Sequence, residues 1–349
     1  MTKNNESPKS LVVRALQGEP VPRPPLGPLA VHYCAQWAGI SLERYSTDPV
    51  ALADSVIAYW ERFQPDAVWL SADTWVTAEA MGAKVDCPGA DQPLCGTGEP
   101  VVRTAADVDR IPRPDPATQG RWPIMLQALA RIRARLGEHV FLVACFDQYP
   151  FSLACALMGI NEVMVKLLED RSLVAAVMER GLEYAEAYAH ALAAAGADLL
   201  SGGDSPAGML GPDLYTEIAW PFEKRLIERL KASVRVPVSL HICGDTRAIL
   251  EPMARTDADV LEIDWQVEMP DACRTVGSDV ALWGNLDPVG LLARGTPQQV
   301  REAASRLIRA VRDCGHHRFV VSSGCTLAVD TPAENLDALS QVVRDLRLD

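Results

Sequence analysis

Short apolar runs alternate with amphipathic stretches along the whole chain, and that alternation constrains the fold more than any other feature. The runs fall at residues 26–31, 67–70, 140–144, 197–200, 236–240, 259–263, 280–283 and 319–321. Each is short and bounded by turn residues, as buried parallel strands are. Helical spacing fills the gaps. Leu52, Val56 and Trp60 recur every four residues behind an Asp48-Pro49 start, and Val174, Met178 and Leu182 do the same. Leu214, Ile218, Phe222, Leu226 and Leu230 form a longer stripe that Pro221 is expected to kink. Further helices are expected over 123–136, 247–253, near 271, over 296–312 and from 332 onward. Eight strand-and-helix pairs predict a single (β/α)8 TIM barrel over residues 1–349, with an N-terminal extension and an irregular excursion at 87–102. A doubly wound sheet is the rival fold, but no Gly-x-Gly-x-x-Gly follows a strand to mark a dinucleotide site.

In such a barrel the chemistry sits on the loops that follow the strands. Asp73, Asp147, Asp204, His241, Glu262, Asn285 and Cys325 all fall at or just after expected strand ends. His241 and Cys243 end one run and lie two apart, so they leave the same strand face. Cys325 ends another run, and a barrel that joins these ends makes a site of two cysteines and one histidine. Thiolates with imidazole favour Zn2+, and three protein ligands leave one position free for chemistry. Buried cysteines and strand histidines are more often ordinary core residues. Here the convergence of three such groups, each followed by a helix-start signal, shifts the reading towards a metal.

Several classes of function are excluded. A net charge of −13 with no basic stripe argues against nucleic acid. The nine cysteines are odd in number and scattered, with no Cys-x-x-Cys pair, as in a reducing compartment. The N-terminal residues are polar, and no apolar segment has the length to cross a bilayer, so we read the protein as cytoplasmic with no membrane partner.

Five motifs then carry a family resemblance: Asp73 with Glu79-Ala-Met-Gly82, Pro150-Phe151 with Met158-Gly159, Ile263-Asp264-Trp265, Gly284-Asn285-Leu286-Asp287-Pro288, and Thr331-Pro332-x-x-Asn335. Across nearly the whole chain these residues resemble the uroporphyrinogen decarboxylase superfamily. The decarboxylase branch is expected to carry an arginine-rich N-terminal loop and a histidine after the last strand. This chain has Val31-His32-Tyr33-Cys34-Ala35-Gln36-Trp37 and Cys325 instead. The His-x-Cys pair with Gly-Cys looks like the zinc methyltransferase branch, which exchanges methyl groups with corrinoid proteins. That resemblance implies His241, Cys243 and Cys325 as metal ligands, Zn2+ as the metal, and a corrinoid carried by a partner protein. No Asp-x-His-x-x-Gly segment is present to hold the corrinoid in this chain.

Two thiolates and a neutral imidazole leave zinc with about zero net charge by simple counting, which keeps a bound thiolate nucleophilic. The expected reaction moves a methyl group from a methyl-corrinoid protein to a thiol or tetrahydrofolate-type acceptor. Its reverse, demethylation of a methyl ether, methylamine-like compound or halomethane, and a non-catalytic binding barrel are the alternatives. Glu262 is either a displaceable fourth ligand or a partner that holds a ligand in place. Asp73 matches the superfamily's polar pocket position and is assigned a catalytic role with Glu262. Asp147, Tyr149 and Asn285 are assigned to cofactor contacts, although Asp147 and Asp204 serve as helix caps equally well. Tyr33, Trp69, Trp75 and Tyr149 are candidate pocket walls, and His316-His317 reads as a solvated turn. No Arg or Lys lies within a few residues of the ends at Asp73, Asp147, Asp204, Glu262 or Cys325. Arg247 is the nearest, and Arg103 or Arg121 could fold in, so the expected small substrate is neutral or cationic. Self-association into a homodimer is left open.

Overall fold

The computed structural model describes residues 6–87, 93–95 and 98–346. Seven parallel strands form one curled sheet in sequence order: β1 Ala67–Leu70, β2 Phe141–Gln148, β3 Leu199–Gly203, β4 Ser239–His241, β5 Val260–Glu262, β6 Ala281–Leu286 and β7 Phe319–Ser323. Helices link each strand to the next and pack outside the sheet, which gives an α/β fold of TIM-like form.

The strand expected at 26–31 is not formed. Leu26 makes one isolated parallel bridge to Val321 of β7. Gly27 N–H donates to the Val321 carbonyl, and the Leu26 carbonyl accepts from Asp66 and Ala67 at the start of β1. The segment thus touches both edges of the sheet. Pro24, Pro25 and Pro28 have no N–H to donate, which limits the ladder to a bridge.

Two layers of core follow from strand parity. Ala67, Trp69, Phe141, Val143, Leu199, Val260, Ala281, Trp283 and Val320 pack together as the interior of the curled sheet, and Trp69 meets Trp283 edge to face at 5.9 Å. The same parity carried towards the strand C-termini changes character. Above Trp69 come Ser71 and Asp73, above Val143 come Cys145 and Asp147, and above Leu199 come Ser201 and Gly203. An apolar plug therefore underlies a polar chamber at the end where barrels do chemistry.

Most expected helices are present. Asp48 Oδ1 accepts from Val50 and Ala51 N–H and starts the helix Pro49–Phe63, and Thr296 with Gln299 forms a capping box on Pro297–Asp313. Pro221 interrupts the ladder as expected, through a π-helical turn at Tyr215–Ala219 ahead of Trp220–Ser233. The short helices His32–Ala38 and Leu42–Thr47 lie in a stretch for which the sequence predicts none. In the excursion Val85–Asp86 pairs antiparallel with Leu94–Cys95, while residues 88–92 and 96–97 lie outside the described residues. His316 is buried and its Nε2 lies 3.1 Å from the Arg318 carbonyl, so only His317 behaves as a solvated turn. Among the described residues no single helix is long and apolar enough to cross a membrane.

Candidate metal centre

β4 ends at His241, and the chain carries Cys243 onto the same side before turning at Gly244, whose φ of +92° disfavours any side chain. Cys325 follows β7 through Gly324. A Cβ on Gly324 would stand 2.3 Å from the Trp265 backbone nitrogen, so glycine alone lets the two loops approach this closely. The outcome is a cluster in which the His241, Cys243 and Cys325 ligand atoms all lie within 4.8 Å of one another. His241 Nε2 is 3.1 Å from Cys243 Sγ, and the two sulfurs are 3.9 Å apart. Zinc–sulfur bonds of about 2.3 Å in a tetrahedron place two sulfurs about 3.8 Å apart. The donor set and its spacing fit that ion.

Neighbouring groups orient the cluster. His241 Nδ1 is 2.9 Å from the Glu262 carbonyl, in register across the β4–β5 ladder. Donation there keeps a proton on Nδ1, so that loss of the second proton, from Nε2, turns a lone pair towards the thiols. The Glu262 carboxylate accepts from Ser201 Oγ at 2.7 Å and from Ser239 Oγ, and Glu262 is not one of the three clustered residues. This geometry favours the partner role over the ligand role for Glu262. Burial raises its pKa, against the opposing pull of His241 and the two serines. Ser205 Oγ donates to Cys243 Sγ at 3.0 Å.

The protons in the cluster are shared unequally. A hydrogen bond with Cys325, then Ser205, holds Cys243 below the usual thiol value, whereas that bond and burial push Cys325 up to about 12. Burial draws His241 down, but Cys325 and Glu262 hold it up at about 9. A cation must displace these protons to bind, so its affinity rises with pH.

The cluster opens into a cavity of about 190 Å³ walled by His32, Trp69, Asp73, Trp75, Asp147, Ser201 and Glu262 among others. A larger cavity of about 500 Å³ adjoins it and shares Thr74, Trp75, Asp147, Gly203 and Ser205. Trp69 and Trp75 thus take the wall positions expected of them, whereas Tyr33 is buried in the core. His32, Ser201 and Ser205 carry no sequence signal beyond their places near strand ends.

The carboxylates correct several expectations. Asp73 lines the smaller cavity and is ion-paired with Arg121, which also binds Glu79 at 2.6 Å, so its carboxylate meets the chamber as one member of an ion pair. Arg121 does fold in, but both carboxylates engage it, and among the described residues no Arg or Lys lines the smaller cavity. Asp147 lies inside β2, because the strand runs on past Ala144 through a register shift between Cys145 and Gln148. Its Oδ2 accepts from Thr77 N–H and Oγ at 2.8 and 2.9 Å, and burial beside Asp73 raises its pKa to about 8. The raised Asp147 carboxyl and the Asp73–Arg121 pair lower the negative charge that the wall presents. Asp204 accepts from Ser152 N–H and Oγ at 2.7 and 2.6 Å and caps the helix Pro150–Met158.

Tyr149 and Asn285 also differ from expectation. The Tyr149 hydroxyl donates to the Ser239 carbonyl at 2.8 Å, and Asn285 Nδ2 donates to the carbonyls of Asp264 and Val267 at 3.1 and 2.6 Å. Both brace backbone, and neither is among the described residues that line the two cavities.

The uroporphyrinogen decarboxylase (URO-D) family model matches residues 7–346. Similar curated proteins include uroporphyrinogen decarboxylases of Prochlorococcus marinus (strain MIT 9303), 27% identical over 93% of each chain, and of Picosynechococcus sp. (strain ATCC 27264 / PCC 7002 / PR-6), 29% identical over 96% of each. Among solved structures, a methyltransferase from Methanosarcina mazei superposes with a TM-score of 0.85 at 25% identity, over 97% of this chain and 98% of that one. A B12-independent methionine synthase from Shewanella sp. W3-18-1 shares the fold, with a TM-score of 0.57 at 11% identity over 84% of this chain and 88% of that one.

Proposed function

The chain belongs to the uroporphyrinogen decarboxylase family, and on that premise we propose that it is a zinc-dependent methyltransferase that moves a methyl group from a methyl-corrinoid partner protein to a small thiol or tetrahydrofolate-type acceptor. The observation that carries this reading is the cluster of His241, Cys243 and Cys325 at the wall of the chamber above the apolar plug. The likeness to the Methanosarcina mazei methyltransferase supports it.

When bound, zinc would lower the proton affinity of an acceptor thiol while two cysteine ligands keep that sulfur electron-rich. His241, Cys243 and Cys325 would hold the ion. Glu262, through its backbone carbonyl, fixes His241 as a neutral Nδ1–H imidazole, and Ser201 with Ser239 fixes Glu262. A methyl-corrinoid on the partner would supply the methyl group and keep the electron pair of the bond that breaks, while the acceptor thiol would give up its proton to water as its sulfur takes the methyl carbon. The apolar plug of Trp69 and Trp283 closes the chamber from below, so both methyl carrier and acceptor enter from the strand C-terminal face. The adjoining cavity of about 500 Å³ accommodates the body of the small substrate.

Porphyrinogen decarboxylation, the activity named for the curated relatives, fits these walls poorly. A tetrapyrrole bearing many carboxylates needs buried cationic partners. Among the described residues the cavity of about 190 Å³ has no Arg or Lys in its wall, and Lys84 in the wall of the larger cavity is exposed and paired with Asp86. Methyl transfer from methylcobalamin to a panel of thiols and tetrahydrofolate, followed by the reverse reaction with methyl ethers, tests the assignment. Activity in neither direction, with decarboxylation of uroporphyrinogen instead, would overturn it.

A further inference from the structure

We infer that Ser205 is a positioning residue of the metal centre, whose hydroxyl sets the electron density on the Cys243 sulfur; this rests on the reading of His241, Cys243 and Cys325 as metal ligands. Ser205 Oγ donates to Cys243 Sγ at 3.0 Å. The loop that carries Ser205 is fixed from both sides. Asp204 N–H donates to the His241 carbonyl at 2.8 Å, which ties the loop to the strand that supplies two ligands. The Asp204 carboxylate, fully buried, accepts from Ser152 N–H and Oγ on the neighbouring helix. The chain then enters the tight 3-10 turn Ser205–Met209, closed by Ala207 N–H to the Asp204 carbonyl at 2.8 Å. At Gly208 that turn lies against the ligand loop, since a Cβ there would stand 3.2 Å from Ile242 Cγ2 and 3.4 Å from the Cys243 carbonyl. Backbone and buried side chains thus aim one hydroxyl at one sulfur, while among the described residues no serine or threonine hydroxyl donates to Cys325.

An O–H···S bond draws charge from a metal-bound thiolate and fixes the direction of its remaining lone pairs, as groups that orient metal ligands do. Ser205 also belongs to the wall common to both cavities, which places it where the substrate passes to reach the metal.

The test compares wild type, Ser205→Ala and Ser205→Thr by two readouts besides turnover: zinc affinity from chelator competition, and the thiolate-to-metal charge-transfer band of the Co2+-loaded protein. Ser205→Ala is expected to bind zinc about tenfold more weakly, within the 10–100-fold range for groups that orient metal ligands, and to move the band to longer wavelength. Ser205→Thr, which keeps the hydroxyl, is expected to restore both. An alanine variant equal to wild type in affinity and band position overturns the inference. So does a threonine variant that shares the alanine defect, because the effect would then be one of packing. Wild-type protein without stoichiometric zinc overturns the metal reading itself, and the inference with it.

Discussion

Removing the guanidinium of Arg121 is expected to destabilise the fold through Asp73, and Arg121→Met tests this with a side chain of similar reach. Arg121 joins Asp73 and Glu79, with side-chain exposures of 7% for Arg121, 2% for Asp73 and 28% for Glu79. Glu79 retains water and loses little. Asp73 does not, and an ion left unpaired in such a place costs about 3–5 kcal/mol. The unfolding entropy of a chain this long, about 2.1 cal/mol/K per residue, comes to about 0.7 kcal/mol/K, so the midpoint should fall by about 4–7 °C. Asp73→Asn keeps the Oδ1 acceptor that Trp75 N–H uses at 2.8 Å and removes the charge. Added to Arg121→Met, it should recover most of the loss. Thermal and urea melts of both single variants and the double variant close the cycle. A loss under about 1 kcal/mol in Arg121→Met, or no recovery in the double variant, would show that the pair does not neutralise the chamber wall.

Three further outcomes are expected. Asp147 has a folded-state pKa raised to about 8, above its unfolded value, so its contribution to stability is full at low pH and is lost as pH rises from about 4 towards 8, by at most about 1.4 kcal/mol per pH unit; Asp147→Asn should flatten that slope in melts at pH 5 to 8, and an unchanged slope would exclude the raised carboxyl. Glu262→Gln keeps the backbone carbonyl that faces His241 and should retain zinc while changing turnover or substrate affinity about tenfold, and kinetics identical to wild type would remove the Glu262 carboxylate from the site. Of two matched thiols, one with a hydroxyl tail and one with a sulfonate tail, calorimetry should find the neutral one bound at least as tightly; tenfold preference for the sulfonate, about 1.4 kcal/mol, would reveal a cation that reaches the chamber.

Strand ends and ligands were legible because both depend on local signals. An apolar run followed by His-x-Cys fixes parity, and parity alone places two ligands on one face. Strand limits were less legible. β2 continues through Asp147 because its partner β3 offers carbonyls past a register shift, which the β2 sequence cannot disclose. The 26–31 segment has the apolar look of a strand, but its prolines leave it few donors. The pairing of Asp73 with Arg121 spans 48 residues, and no local pattern announces such a contact. Tyr149 and Asn285 stand beside the right strands but spend their polar groups on backbone carbonyls. Ser205 lay within Gly202-Gly203-Asp204-Ser205-Pro206, where turn chemistry explains every residue without a metal.

The central claim is that Cys243 and Cys325, with His241, hold zinc. Zinc-edge X-ray absorption on the purified protein measures those neighbours directly. The account predicts about one zinc per chain with two sulfurs at about 2.3 Å and one or two nitrogen or oxygen neighbours at about 2.0–2.1 Å. A shell of oxygen and nitrogen alone would contradict it.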